Sequence, residues 1–196
     1  MLLSSPVVGQ LLRETVIRPS YAARRLIDLR LSGEAIWTAL ALVAVLSVLA
    51  VAVWQLVLPV TSQEGMIAAG PMVMGVIVAS VTIALAFVIY YLGLAMGGSG
   101  GFAAALTLVV WFQFFTTVLQ MLQLPIALVT PTLASGITVL AMGVAIWVMV
   151  NFVNVLHGFQ SLAQAGVLLI LAFVGMALGL GFILTLIGVS VPGGAP

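Results

Sequence analysis

The sequence predicts an all-α polytopic membrane protein, a helix bundle with about five transmembrane helices preceded by one or two short interfacial amphipathic helices. Its 196 residues are 64% hydrophobic and only 5% charged, and the mean hydropathy is +1.40. Soluble domains carry about a quarter charged residues, so lipid is the solvent that this composition suits. Beyond an N-terminal arm of residues 1–33, the chain is long enough for five spans of about 20 apolar residues each.

The charged residues are concentrated near the N-terminus. All five basic residues are arginines within the first 30 positions, and no Asp, Glu, Lys or Arg occurs from position 65 to the end. Basic residues that flank a first span are held on the cytoplasmic side of the membrane. The sequence therefore predicts a cytoplasmic N-terminus and, after five spans, a C-terminus on the opposite side. The residues predicted to set this topology or to contact lipid headgroups are Arg13, Arg18, Arg24, Arg25 and Arg30.

The arm has the pattern of two short amphipathic helices. Between Pro6 and Ile17, apolar and polar side chains separate at helical spacing over a segment too short to span a membrane, and Pro19 ends it. A second helix is predicted from Ser20 to Leu31. Two interpretations are open: an interfacial anchor on anionic lipid, or a juxtamembrane arm whose arginines only set the topology.

Five apolar segments form the predicted bundle, residues 34–190, and start signals precede several of them. Ser32 can cap the first, and Gly70-Pro71 and Thr130-Pro131 are favourable starts for the second and fourth. The glycine-rich stretch 97–101 lacks the Lys-Ser/Thr ending of a phosphate-binding loop, so a tight hairpin is expected there. The predicted spans are about 34–58, 71–96, 102–124, 131–156 and 163–189, with 191–196 as a short tail.

Polar side chains recur at helical spacing on the third and fourth spans. Amides that faced lipid would leave donors and acceptors unpaired at a cost of several kcal/mol, so these residues should face another helix or a water-lined cleft. Interhelical hydrogen bonding and a solute path are both compatible with the pattern. The predicted intramembrane polar stripe comprises Gln113, Thr116, Thr117, Gln120, Gln123, Asn151, Asn154 and His157.

Few residues could support chemistry or specialised packing. His157 is the only histidine and there is no cysteine, so the chain cannot hold a haem by two histidines and lacks the nitrogen and sulfur partners of a zinc site. The sequence therefore predicts no catalytic residues, no metal site and no cofactor, and a protein that is not an enzyme. His157 is either a structural side chain or a proton-sensitive switch. Gly175 and Gly179 have the spacing that lets two helices approach closely, in a dimer or within the bundle.

Three stretches of the chain carry a family resemblance that covers most of its length. They are RPSYAARRLIDLRLSGEAIW before the first span, GGSGGFAAALTLVVWFQFF at the third, and NFVNVLHGF at the end of the fourth. The order of these features resembles the bacterial branch of the Yip family, five-span integral membrane proteins related to eukaryotic Yip proteins that interact with Rab-type GTPases. The resemblance implies a five-helix bundle in the bacterial inner membrane, a cytoplasmic N-terminus, a periplasmic C-terminus and no known chemistry.

Two functional hypotheses follow from the residues and the resemblance together. The first is a membrane scaffold or accessory subunit that binds membrane lipids, another integral membrane protein or a second copy of itself, and no nucleic acid. The second is a channel or carrier for a small neutral solute, lined by the amides of the third span. An ion-coupled transporter usually needs a charge inside the membrane, and none occurs in the later spans.

Overall fold

The structure is a computed structural model that describes residues 5–58 and 70–186. Within this part of the chain all regular structure is helical, and α3 to α7 are each long and apolar enough to cross a membrane. The predicted all-α class, with five spans preceded by short helices, is confirmed. The predicted end of the last span and the short C-terminal tail lie outside the described residues. The helices are α1 Ser5–Ile17, α2 Pro19–Asp28, α3 Gly33–Val57, α4 Pro71–Ala95, α5 Phe102–Val129, α6 Pro131–His157 and α7 Leu162–Leu186.

The helix termini largely follow local signals in the sequence. At the start of α3, the Ser32 side chain accepts a hydrogen bond of 3.2 Å from the backbone N–H of Ala35. The third span differs from its expected length, because α5 continues through Pro125 to Val129 rather than ending near residue 124. Proline is tolerated inside membrane helices, and Pro125 lies on the exposed side of α5. One internal proline therefore does not end this helix.

The tightly packed core lies in the half of the bundle nearest the N-terminal arm. It is built from the first turns of α3, α5 and α7 and the last turns of α4 and α6, which contribute fully buried side chains such as Ile89, Leu108, Phe152 and Leu168. The opposite half of α6 and α7 is largely exposed, including Leu140 and Leu178 at 70% each. In a membrane, lipid would cover those exposed apolar side chains.

The second arm helix packs against the bundle. Ala22, Ala23 and Leu26 of α2 are buried among core residues of the spans. α2 contacts α5 and α6, and α1 packs on α2 and on α6. The apolar side of α2 is therefore covered by protein rather than left free to enter lipid. The arm is part of the folded bundle, and its exposed surface carries charged residues together with Ile17 and Tyr21.

Candidate functional site

Two side-chain hydrogen bonds join the arm to the spans. Trp111 of α5 donates from Nε1 to the hydroxyl of Thr15 in α1 at 3.0 Å. Ser20 in α2 donates to Oδ1 of Asn151 in α6 at 2.8 Å. The amide of Asn151 also donates to the backbone carbonyl of Trp147 at 2.8 Å, so both ends of this buried side chain are bound. Asn151, which the sequence places in an intramembrane stripe, serves here to hold the arm.

An ion pair holds the two arm helices together. Arg25 of α2 donates from one guanidinium nitrogen to both carboxylate oxygens of Glu14 in α1, at 3.1 and 3.0 Å. It is the single ion pair among the residues that the structure describes, and both side chains are partly buried. Such a pair is less screened by solvent than a fully exposed one. The other four arginines, Arg13, Arg18, Arg24 and Arg30, are exposed.

The middle of the predicted polar stripe lies in the seam between α3 and α5. Gln113 donates from Nε2 to the hydroxyl of Ser47 at 3.3 Å, and Ser47 shares a hydrogen bond of 2.9 Å with Thr117. Both Thr116 and Thr117 donate to the backbone carbonyl of Gln113 at 2.9 Å. These contacts form a compact network in which the polar groups of one span bind those of its neighbour.

The end of the stripe that is farther from the arm has different partners. The backbone carbonyl of Gln120 accepts a hydrogen bond of 3.2 Å from Trp54 Nε1 in α3. Gln123 accepts one of 2.9 Å from the hydroxyl of Thr138 in α6. The stripe is thus shared among several seams: Gln113 and Gln120 contact α3, Gln123 contacts α6, and Asn151 contacts α2. Helical spacing predicts one stripe on the third span and another on the fourth, and the hydrogen bonds of these residues reach three neighbouring elements.

His157 is enclosed by glycines at the end of α6. Its side chain is buried, and its ring lies against Phe159 with the two centroids 5.4 Å apart. A Cβ atom added to Gly93 of α4 would overlap the imidazole, and one added to Gly98 would lie 2.6 Å from His157 Cβ. One added to Gly100 would lie 3.0 Å from Nδ1. Neither ring nitrogen has a hydrogen-bond partner within the described residues. His157 therefore packs α6 closely against α4 and the glycine hairpin.

The turn between α6 and α7 is held by Asn154. With its amide oriented to satisfy its neighbours, Asn154 donates from Nδ2 to the carbonyls of Ser161 at 3.1 Å and Phe159 at 3.2 Å. Gly158 ends α6 with a φ of +65°, a left-handed conformation that glycine adopts without a steric penalty. Gln164 in the first turn of α7 donates to the carbonyl of Met96 at 3.1 Å. The end of α6, the start of α7 and the end of α4 are thereby tied together.

Two cavities flank α2 on the arm side of the bundle. One, of about 460 Å³, lies between α2 and the α6–α7 turn and includes Arg24, Asp28 and Asn154 in its lining. The other, of about 410 Å³, lies between α2 and the starts of α3 and α5 and includes Asp28 and Arg30. Asp28 thus borders both. These cavities carry charged groups, and none of the predicted polar-stripe residues of α5 lines either of them.

The two glycines of the last span have no contact within the chain that requires their small size. A Cβ atom added to Gly175 or Gly179 would meet nothing within 4 Å among the described residues, and both positions are exposed. Of the two interpretations that the sequence left open, packing within the bundle has no supporting contact here. Association between copies of the chain stays a prediction.

Some contributing residues were not apparent from the sequence. Ser47 and Ser20 carry hydrogen bonds between elements, and an isolated hydroxyl in an apolar span could have indicated the first of them. The close contact of Gly93 with His157 could not be predicted from the sequence, because glycine is common in membrane helices. Among residues 5–58 and 70–186, no group of three or more His, Cys, Asp or Glu side chains could hold a metal ion.

Comparison with protein-family models gives a match over most of the chain. The family model described as "Yip1 domain" matches residues 13–191. This range begins in the middle of α1 and takes in α2, all five candidate spans and the cavities beside α2. No curated protein and no solved structure matches the chain.

Proposed function

The chain belongs to the Yip family, whose Yip1 domain it carries, and from that membership we propose that it is a non-enzymatic membrane scaffold. Five apolar spans and this domain make it an integral membrane protein. In the proposal it resides in a bacterial inner membrane with its N-terminus in the cytoplasm. It binds lipid or a partner membrane protein through the faces of its spans, as an accessory subunit of a larger integral complex would.

The observation that carries the proposal is the contrast between the interior and the surface of the bundle. Apart from the imidazole of His157, the buried polar side chains are bound to other parts of the same chain, as the contacts of Gln113 with Ser47 and of Asn151 with Ser20 illustrate. The outer surfaces of α6 and α7 are instead apolar and exposed over much of their length. Such surfaces suit contact with lipid chains or with another transmembrane helix.

The competing hypothesis, a channel or carrier for a small neutral solute, requires the same amides to face water. A solute path along α5 would have to open the hydrogen bonds that now join Gln113 to Ser47 and Asn151 to Ser20. The two functions therefore differ in one measurable property, the access of water-soluble reagents to these positions.

Cysteine labelling tests the proposal directly, because the chain has no cysteine of its own. Gln113→Cys and Asn151→Cys should resist a polar thiol reagent in intact membranes, since Asn151 is buried and Gln113 is half-buried in the seam with α3. Ser99→Cys, in the exposed glycine hairpin, is the matched positive control and should react readily from the cytoplasmic side. Labelling of Gln113→Cys and Asn151→Cys at a rate near that of the hairpin position would contradict the scaffold and support the solute path.

A further inference from the structure

The larger cavity beside α2 combines opposite charges in one small space. It has a volume of about 460 Å³, and its lining includes the cation Arg24, the anion Asp28 and the half-buried ring of Phe159. Arg24 and Asp28 are four residues apart on α2, so they lie on the same face one turn apart. The cavity adjoins Gly158, where α6 ends. Because lipid headgroups surround the ends of membrane-spanning helices, we expect the cavity to lie at their depth.

Neither of the two charged side chains that line this cavity forms an ion pair with another described residue. Among the residues that the structure describes, the one ion pair within 4 Å joins Arg25 to Glu14. Arg25 is three residues from Asp28 and could otherwise compete for its carboxylate, but its guanidinium is bound by Glu14. Arg24 and Asp28 are both exposed. Each is therefore open to a third group that carries the complementary charge.

We propose that this cavity binds the headgroup of a zwitterionic phospholipid with a primary amine, as in phosphatidylethanolamine. The guanidinium of Arg24 would bind the phosphate oxygens, since charge-assisted hydrogen bonds to phosphate are the strong ones that arginine makes. The carboxylate of Asp28 would accept hydrogen bonds from the ammonium group. Ile27 and Val155, which also line the cavity, provide apolar surface for the glycerol and the first acyl carbons. The inference rests on the proposed lipid binding and specifies its site.

The same charges disfavour the other common headgroups. An anionic lipid such as phosphatidylglycerol would place its phosphate near Asp28 with no ammonium group between them, and like charges repel. A choline headgroup has no N–H to donate to the carboxylate. We therefore expect a preference for the ethanolamine headgroup of about tenfold, the factor that one charged hydrogen bond supplies.

Native mass spectrometry of the purified full chain tests the inference. The protein is mixed with equal amounts of phosphatidylethanolamine, phosphatidylglycerol and phosphatidylcholine that share the same acyl chains, and the retained lipid is counted. Phosphatidylethanolamine should be retained about tenfold over the other two. Water-soluble phosphoethanolamine at the same concentration as the lipid should not displace it, because it lacks the glycerol and acyl contacts; displacement at equal concentration would mean that the ligand is a soluble zwitterion, and would overturn the assignment to a lipid.

Two substitutions should change retention in different directions. Arg24→Gln should lower the retention of phosphatidylethanolamine and of phosphatidylglycerol alike, because both use the phosphate contact. Asp28→Asn should lower the retention of phosphatidylethanolamine and raise that of phosphatidylglycerol. The two lipids should then be retained in nearly equal amounts. Glu34→Gln is the matched control, since this acid is exposed and lies outside the cavity lining, and it should leave the preference unchanged.

The outcomes separate this inference from the proposed function. A preference that survives Asp28→Asn, or a wild-type chain that retains the three lipids equally, would overturn the headgroup site while leaving a lipid-binding scaffold in place. A wild-type chain that retains neither lipid nor a partner protein would contradict the proposed function itself. Because Arg24 and Asp28 are exposed, the variants should fold, and an unchanged size-exclusion profile would verify this.

Discussion

Gly93→Ala is expected to lower the free energy of unfolding by about 1–3 kcal/mol, as overpacking of a well-packed core does. A methyl group at this position would overlap the buried imidazole ring of His157. Alanine is otherwise favoured over glycine inside a helix by about 1 kcal/mol, so a loss of stability reports the contact and not the helix propensity. The expected readout is a lower midpoint temperature for loss of the folded peak, measured by heating in detergent and size-exclusion chromatography.

Two control variants test whether the loss of stability comes from the contact with His157. With His157→Ala already present, Gly93→Ala should become neutral or stabilising, because the ring that it overlaps has been removed. Gly75→Ala on the same helix is the control, since its Cβ would meet Val48 Cγ2 at 3.8 Å, an ordinary contact. Equal losses at Gly75 and Gly93, or a loss at Gly93 that persists without the imidazole, would contradict the close packing of α4 and α6.

Replacing the exposed arginines of the arm is expected to weaken or invert the orientation of the whole chain. In the proposed topology the positive charges next to the first span hold the N-terminus in the cytoplasm, and no charged residue follows position 64 to counter them. Changing Arg13, Arg18, Arg24 and Arg30 to glutamine together leaves the Arg25–Glu14 pair intact, so the arm can still form. A reporter fused to the C-terminus, active on only one side of the membrane, measures the fraction inverted.

The control for this experiment keeps the charge and changes the side chain. Lysine at the same four positions should preserve the orientation of the wild-type chain, because the rule depends on positive charge and not on the guanidinium. If the glutamine variant inserts in the same orientation as the lysine variant, the arginines do not determine the topology. Their role would then have to lie in contacts with lipid or protein.

The spans could be predicted from the sequence because they depend on local features of the chain. Length and apolarity identify each membrane helix, and the capping position of Ser32 marks a helix start that the structure reproduces. The contacts that the polar side chains make with other helices were harder to predict from the sequence. Helical spacing places Gln113 and Asn151 on a face of their own helices, but it does not say which neighbour that face meets. Asn151 binds Ser20 of the arm, a contact between residues 131 positions apart.

The arm shows a second limit of the sequence. An amphipathic pattern in α2 indicates that one side is covered, but lipid tails are as apolar as leucine and would cover it equally well. Only the fold shows that Ala22, Ala23 and Leu26 pack on the bundle. The close approach of α4 to His157 could not be predicted for a similar reason. A glycine such as Gly93 in a membrane helix does not indicate which side chain packs against it.

The most direct test of the scaffold is to extract the full chain from its native membrane in polymer-bounded discs and identify everything that remains bound. The account predicts that a specific lipid, a specific integral membrane protein or both are retained reproducibly through purification and native mass spectrometry. A bare monomer, free of lipid and of protein in repeated preparations, would contradict it.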